Sequence, residues 1–356
     1  MLEFDSGEYE SICIFAEKSD DRDGWICLEG PGGKEQQVHM NDDWYRLVQL
    51  ALPQNGTYRI RYKGVGLIQM YLSGGPDLME RGIRFLDPDS GDEMELGKWY
   101  DTPVREQYHF NPFMNWVNDP NGFSVFQDEI HLMCQYHPYS TQWGPMHWAH
   151  FKSKDFIKWE QMPACLAPDQ EYDSFGCFSG SAIEFEGKHV LVYTGVVVGK
   201  DEEGKHFERQ TQCIAVGDGV DYEKSDVNPI IGTDMLPEGA SKVDFRDPKI
   251  WKDGNTFYVI VGSRNEDGSG QLLLYSSDNL KQWKYCGVVD KCENRYGKMW
   301  ECPDMFQLEG KCVILTSPQD MYAEGLEFHN GNGTLCLIGE YDKEQVKIHT
   351  GVCKCR

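Results

Sequence analysis

Short runs of alternating apolar and polar residues dominate the first hundred positions. Tyr58-Arg59-Ile60-Arg61-Tyr62 alternates plainly, and Ser11-Ile12-Cys13-Ile14-Phe15 is strand-like. Turn-forming segments separate such runs: Gly30-Pro31-Gly32-Gly33, Asn55-Gly56 and Gly74-Gly75-Pro76. No long helical pattern interrupts them. The pattern predicts an all-β protein whose residues 1–102 form a small N-terminal antiparallel β-sandwich. Fold alone gives that module no function, so it reads first as a packing domain.

From about residue 105 the chain repeats itself. Four stretches share one plan: a turn or small-residue segment, a strand, a Gly or acidic turn, then an apolar strand. Asp119-Pro120-Asn121-Gly122 leads to His131-Leu132-Met133, and Gly180-Ser181-Ala182 to Val190-Leu191-Val192-Tyr193. Asp247-Pro248-Lys249-Ile250 leads to Tyr258-Val259-Ile260-Val261, and Pro303-Asp304-Met305-Phe306 to Val313-Ile314-Leu315. Ser153-Lys154-Asp155-Phe156-Ile157-Lys158-Trp159 is echoed by Ser276-Ser277-Asp278-Asn279-Leu280-Lys281-Gln282-Trp283, read here as a second pair of related strands. Irregular repeats of several strands, fifty to seventy residues apart, predict propeller blades over residues 103–356. A run of hairpins in a sandwich is the alternative. In a propeller, the innermost strand starts all open at one end of the channel, where residues distant in sequence meet.

Composition narrows the partners. Asp plus Glu number 58 against 34 Lys plus Arg, a formal charge of −24. Such a surface repels nucleic acid and anionic lipid and fits a neutral small molecule better than a polyanion. No stretch is long enough to cross a bilayer. The 13 cysteines are odd in number and scattered, unlike a disulfide framework. Met1-Leu2-Glu3-Phe4-Asp5 opens acidic, without a basic start or apolar run. Together these predict a cytoplasmic setting. Cys353-Lys354-Cys355 has no second pair at metal spacing and reads as inert tail. His147 and His150 fall on a strand, where positions three apart face opposite ways.

Three carboxylates stand out, each inside a run of turn-type or aromatic residues. Asp119 lies in Asn118-Asp119-Pro120-Asn121-Gly122, a rigid corner that could aim a carboxylate; alone it is also an ordinary Asx turn. Glu301, in Met299-Trp300-Glu301-Cys302-Pro303, has few charged neighbours, a setting expected to raise its pKa as a general acid needs. Asp247 follows Arg246, a cation expected to keep it ionised. Acids gathered from distant segments are what glycosidic bond cleavage uses. The aromatic and small polar residues of Trp143-Gly144-Pro145-Met146-His147-Trp148 and Phe175-Gly176-Cys177-Phe178-Ser179-Gly180 suit the C–H faces and hydroxyl edges of a sugar.

These residues resemble glycoside hydrolase family 32, the invertase, inulinase and levanase family of β-fructofuranosidases. The family's Trp-Met-Asn-Asp-Pro-Asn-Gly is matched by residues 116–122 with Val117 in place of Met. Gln135-Tyr136-His137-Pro138, Trp143 to Trp148, Phe178-Ser179-Gly180-Ser181-Ala182, Tyr193-Thr194-Gly195, Arg246-Asp247-Pro248 and Trp300-Glu301-Cys302-Pro303-Asp304 also match, in order. The resemblance spans roughly residues 105–320. It implies a five-bladed propeller and a retaining double displacement without metal or other cofactor. Asp119 would be the nucleophile, Glu301 the acid/base and Asp247 the transition-state stabiliser. Asn118, Gln135, Trp143, Phe178, Ser179 and Arg246 would line the fructose pocket. A retaining mechanism places the two reacting carboxyl groups about 5–5.5 Å apart.

The family continues into a fifth blade and a C-terminal sandwich, whereas four units precede Arg356. The expectation is therefore a propeller domain truncated at its C-terminus. The leading reading is hydrolysis of terminal β-fructofuranosyl bonds in sucrose, sucrose 6-phosphate or short fructans. The alternatives are an inactive fructoside-binding protein and a related five-bladed arabinosidase or xylosidase. In either case the N-terminal module could also bind sugar.

Overall fold

A computed structural model describes residues 1–351 apart from 20–22, 41–44, 77, 79–81, 95–109, 202 and 327. The expected boundary at 102/103 and the Cys353–Cys355 tail lie outside the described residues. Among the described residues the chain is all-β: 24 strands form six four-stranded antiparallel sheets. Among the described residues no helix is long and apolar enough to cross a membrane. None of the eleven described cysteines forms a disulfide.

The chain divides into two compact units. The first comprises Met1–Glu106, Phe113–Trp116 and Pro138–Gln142. Its strands are β1 (Leu2–Asp5), β2 (Ser11–Lys18), β3 (Gly24–Glu29), β4 (Glu35–Met40), β5 (Tyr45–Ala51), β6 (Thr57–Lys63), β7 (Val65–Ser73) and β8 (Arg84–Leu86). One sheet runs β1-β6-β3-β4 and the other β5-β2-β7-β8. The alternation read at Tyr58–Tyr62 has its cause here: Tyr58 and Ile60 are buried while Arg59 and Arg61 are exposed. Both sheets feed one core, with Phe4, Ile26, Leu28 and Ile60 from the first and Ile12, Ile14, Leu50 and Leu72 from the second. Each such side chain, once buried, contributes about 1.5–3 kcal/mol before entropy is subtracted.

The second unit holds the other four sheets, each in chain order. They are β9 to β12 (Trp116–Phe126, Glu129–His137, His147–Ser153, Trp159–Leu166) and β13 to β16 (Gly176–Phe185, Lys188–Lys200, His206–Gly217, Tyr222–Lys224). Then come β17 to β20 (Ala240–Asp253, Thr256–Asn265, Gly270–Ser277, Lys284–Lys291) and β21 to β24 (Met299–Leu308, Lys311–Gln319, Leu335–Asp342, Lys347–Gly351). The four repeated stretches of the sequence are the first two strands of these sheets. Tight turns with positive φ join them: Gln127-Asp128, Glu186-Gly187 and Glu309-Gly310. Such turns match the twist of a hairpin. The second strands are apolar runs because both faces are covered, as in β14, where residues 189–196 are all buried.

The Ser…Trp echo differs from expectation: it marks a shared turn, not a pair of strands. In both copies it connects the third strand of a sheet to the fourth. Asp155 Oδ1 accepts from the amides of Ile157 and Lys158, and Asn279 Oδ1 from those of Lys281 and Gln282. Trp159 Nε1 donates to Phe156 O, and Trp283 Nε1 to Leu280 O, each at 3.0 Å. Phe156 and Leu280 both take positive φ. Side-chain acceptors that hold turn amides account for the sequence echo.

His147 and His150 do separate along β11, yet both are buried. His147 Nδ1 faces Pro145 O, whereas His150 Nε2 meets His131 Nδ1 at 2.9 Å. His189 joins this cluster, its ring 5.0 Å from that of His131, and shares hydrogen bonds with Ser124 and Tyr222. Desolvation pushes His150 and His189 down to about 3, so the cluster is neutral.

Candidate active site

The first strands of three sheets break pairing where the sequence placed its candidate residues. In β13 the register steps from Phe178 to Gly180, leaving Ser179 as the extra residue. In β17 it steps from Arg246 to Lys249 across Asp247-Pro248, and in β21 from Glu301 to Asp304 across Cys302-Pro303. Proline has no N–H for the ladder, so Pro248 and Pro303 favour a bulge at those points. Asp247 and Cys302 both adopt positive φ, at 66° and 46°. Non-glycine residues seldom sit there, and the strain persists because the surroundings fix it. Bulges of this kind re-aim side chains beside functional sites.

The close backbone approach at β13 depends on Gly180. A Cβ there would meet Val192 O at 2.0 Å and Tyr193 Cα at 2.8 Å. Gly180 N donates to Asn121 Oδ1, which ties β13 to the Asn-Asp-Pro-Asn-Gly corner of β9.

All nine candidate residues line one cleft of ≈ 450 Å³. A larger groove of ≈ 840 Å³ lies elsewhere, around Trp251 and Tyr258, and contains none of them. The convergence of acids, not volume, singles out the smaller cleft. Ser179 Oγ donates to Asp119 Oδ2 at 2.8 Å, a charge-assisted bond that orients this carboxylate. Cys302 stands between two acids: its Sγ is 3.7 Å from Asp119 Oδ2 and 3.6 Å from Asp247 Oδ2. Desolvation of the sulfur and the adjoining carboxylates push the Cys302 thiol up, so it stays protonated and can donate its one S–H to either carboxylate. Its backbone N–H also donates to Asp247 Oδ2, at 2.9 Å. Thr194 Oγ1, buried, accepts the Asp247 amide and donates to Gln212 Oε1. Asp247 is therefore held at both its backbone and its carboxylate.

Arg246 corrects two electrostatic expectations. Its Nε and Nη2 both donate to Glu301 Oε1, at 3.0 and 2.8 Å. The apolar flanks of Glu301, Met299 and Trp300, are buried, but the carboxyl itself meets a guanidinium. Strand alternation explains part of this: Trp300, the immediate neighbour, points to the opposite face and does not define the environment of Glu301. Asp247 is not held ionised either. Burial pushes it up to about 7, with Glu301 and Asp119 adding repulsion that Arg246 only partly offsets.

Trp143 forms an aromatic wall with Phe178, their rings 5.8 Å apart and nearly perpendicular, and with Phe175 at 6.1 Å. Trp143 is 42% exposed, leaving a face for a ligand. Trp148 and Trp300, by contrast, are core residues. Gln135 donates to Cys177 O at 3.0 Å.

The cleft also contains residues that were not among the sequence candidates: Glu208, Gln210, Val243, Asp244 and Gln319. Gln210 Oε1 accepts from the Phe245 amide and from Arg246 Nη1. Asp244 accepts from Arg246 Nη1 and Gln319 from Nη2. The one available signal was the polar Gln210-Thr211-Gln212 inside a buried strand, where an unpaired amide would be costly.

Several carboxyl groups gathered beside an aromatic wall are a layout that suits glycoside hydrolysis. The sequence profile of the glycosyl hydrolases family 32 N-terminal domain matches residues 109–354, and the chain belongs to that family. It is 36% identical over 271 residues to a sucrose-6-phosphate hydrolase of Zymomonas mobilis subsp. mobilis, covering 73% of this chain and 51% of that protein. With a sucrose-6-phosphate hydrolase of Escherichia coli it shares 41% identity over 224 residues, 63% of this chain and 46% of the other. The chain thus spans about half the length of the curated relatives it matches. Among solved structures, a family 32 β-fructofuranosidase of Bombyx mori superposes with a TM-score of 0.64 at 38% identity, covering 72% of this chain and 55% of that one. A family 32 glycoside hydrolase of Bifidobacterium adolescentis gives 0.66 and covers 99% of this chain and 66% of that one, at 22% identity, a likeness of fold alone.

Proposed function

We propose that the chain is a retaining β-fructofuranosidase domain that cleaves terminal fructosyl bonds. Its four sequential sheets, β9 to β24, are then blades of a five-bladed type of propeller, and β1 to β8 a two-sheet sandwich. The observation that carries this reading is the meeting of Asp119, Asp247 and Glu301, from three different sheets, around one cleft.

In this reading Asp119, oriented by Ser179, attacks C2 of the fructosyl unit. Glu301 donates its proton to the leaving oxygen and then takes one from water, regenerating fructose with its original configuration. Arg246 keeps the Glu301 carboxyl in place through two donors. Asp247 accepts from fructose hydroxyls, and the interaction strengthens as positive charge grows on the ring. The aromatic wall of Trp143 and Phe178 packs on the apolar face of the sugar. No step uses a metal or cofactor. The similarity to enzymes named for sucrose 6-phosphate and to a β-fructofuranosidase supports a sugar substrate. Purified chain incubated with sucrose should release fructose, with β-fructofuranose as the first anomer seen by NMR. Release of the inverted anomer would exclude the retaining route. Binding without release would favour the inactive, fructoside-binding reading.

A further inference from the structure

β17 is the first strand of its sheet, and among the described residues it pairs with β18 alone. Backbone groups on its other edge need partners, and side chains of the preceding sheet supply them. Gln210 Oε1 accepts the Phe245 amide, and Gln212 Nε2 donates to Phe245 O at 2.8 Å. Thr194 Oγ1 accepts the Asp247 amide at 2.9 Å. Ser181 Oγ donates to Pro248 O and accepts the Ile250 amide. These contacts bracket the bulge at Asp247-Pro248. Thr194 and Gln212 face each other across β14 and β15, and the Thr194 hydroxyl donates to Gln212 Oε1 at 2.9 Å. The same hydroxyl lies 3.3 Å from Ser179 O, in the bulge whose serine side chain orients Asp119. Thr194 and Gln212 are fully buried and stand outside the cleft lining.

We propose that Thr194 and Gln212 are positioning residues that hold Asp247 at its strained φ and so aim its carboxylate into the cleft. The role rests on the fructosidase reading, in which that carboxylate stabilises the transition state. An aspartate with a φ of 66° keeps it only where its surroundings enforce it. The Cys302 amide holds the carboxylate from the following sheet, and Thr194 holds the backbone from the preceding one. Without the Thr194 hydroxyl the Asp247 N–H would be buried and unpaired, a cost that favours turning the peptide. The turn would draw the carboxylate off the Cys302 amide. Gln212 acts one step further back. Its two amide atoms bridge the Thr194 hydroxyl and Phe245 O, which fixes β15 against the bulge. A displacement of about 1 Å at a reacting centre is enough to cost about a hundredfold in rate. This accounts for the polar residues within Tyr193-Thr194-Gly195 and Gln210-Thr211-Gln212, both on buried stretches of strand.

The test measures kcat and KM for fructose release from sucrose by the parent chain and by variants shown to be folded by circular dichroism. Thr194→Val, close in shape but without the hydroxyl, should lower kcat roughly ten- to a hundredfold, with KM within about threefold of the parent. Thr194→Ser restores the hydroxyl and should bring kcat back to within about threefold. Placed on top of Asp247→Asn, the same Thr194→Val change should cost less than about threefold, because the carboxylate it aims is already gone. A role in packing alone would exact its full loss in that background too. Should Thr194→Val not fold, Gln212→Met gives the same comparison, since Gln212 reaches Asp247 only through Thr194 and Phe245. An unchanged kcat in Thr194→Val, or an equal loss with and without the Asp247 carboxylate, overturns the assignment and leaves the fructosidase reading intact. A parent chain that releases no fructose sinks that reading and this assignment with it.

Discussion

The two units use the same strand pattern and differ in how the strands are wired. In the first, consecutive strands repeatedly change sheet, giving the orders β1-β6-β3-β4 and β5-β2-β7-β8. In the second, every sheet is read off in chain order. When neighbours in the chain are neighbours in the sheet, a repeated position in sequence is a repeated position in space. Three of the first strands can then deliver equivalent residues to one cleft. Irregularities follow the same division. The first unit has a register shift at Phe15/Ala16, between buried apolar residues. The second has shifts at Ser179, Asp247 and Cys302, two of which carry strained φ, beside others in its core such as Trp148/His150 and Leu272/Leu273. Regular pairing serves stability in one unit; broken pairing aims polar groups in the other.

The strongest way to break this comparison is Asp119→Asn. The substitution is nearly isosteric, and Ser179 Oγ can still donate to the amide oxygen. Turnover of sucrose should fall at least about a thousandfold with the circular dichroism spectrum unchanged. Activity near that of the parent chain would remove the nucleophile from the second unit.

Glycines give the next largest contrast. Gly180→Ala forces a Cβ against backbone at 2.0 Å and should lower stability by about 3 kcal/mol or more. Gly33→Ala in the first unit meets nothing within 4 Å and pays only for its φ of +77°, about 1 kcal/mol. Denaturant titration of both variants gives the order; equal losses would show that the bulge in β13 has slack.

Acid should separate the units. His150 and His189 sit at about 3 when folded and near 6.5 when unfolded, so the unfolded chain binds more protons between those values. Their contribution is fully present above pH 6.5 and is lost as pH falls toward 3. Hydrogen exchange at pH 4.5 should show β10, β11 and β14 losing protection relative to pH 7, with β2, β3 and β6 changing less. Uniform loss across both units would remove the histidine cluster as the cause.

The smallest effect is also the most diagnostic. Asp247 is raised to about 7 in the folded chain, so its ionisation opposes folding increasingly as pH climbs from about 4 to 7 and fully beyond. Asp247→Asn should therefore raise Tm by a few degrees at pH 8 and by nothing near pH 4, while activity drops. A lower Tm at pH 8 would mean that the contact with the Cys302 amide outweighs the burial of charge.

Much of the site was legible because its residues sit in rigid local motifs. Arg-Asp-Pro and Trp-Glu-Cys-Pro join an acid to a proline that disturbs the ladder, so acid and bulge were encoded together, and Asn-Asp-Pro-Asn-Gly sets its acid on a rigid corner. Their electrostatics were not legible. Glu301 looked apolar from its neighbours in sequence, and Asp247 looked paired with Arg246, yet the guanidinium lies on Glu301. Glu208, Asp244 and Gln319 were invisible because no local feature distinguishes a polar residue facing a cleft from one facing solvent.

What the sequence determined by itself was the strand periodicity, the fourfold plan and which carboxylates sit on rigid corners, since these depend on interactions within a few residues. Only the tertiary structure decided which cation meets which acid, which acid loses its charge near neutrality, and that all five donors of Arg246 are spent. Such properties depend on distance and desolvation between side chains some fifty residues or more apart in the chain, as Arg246 is from Glu301. No local pattern records those distances.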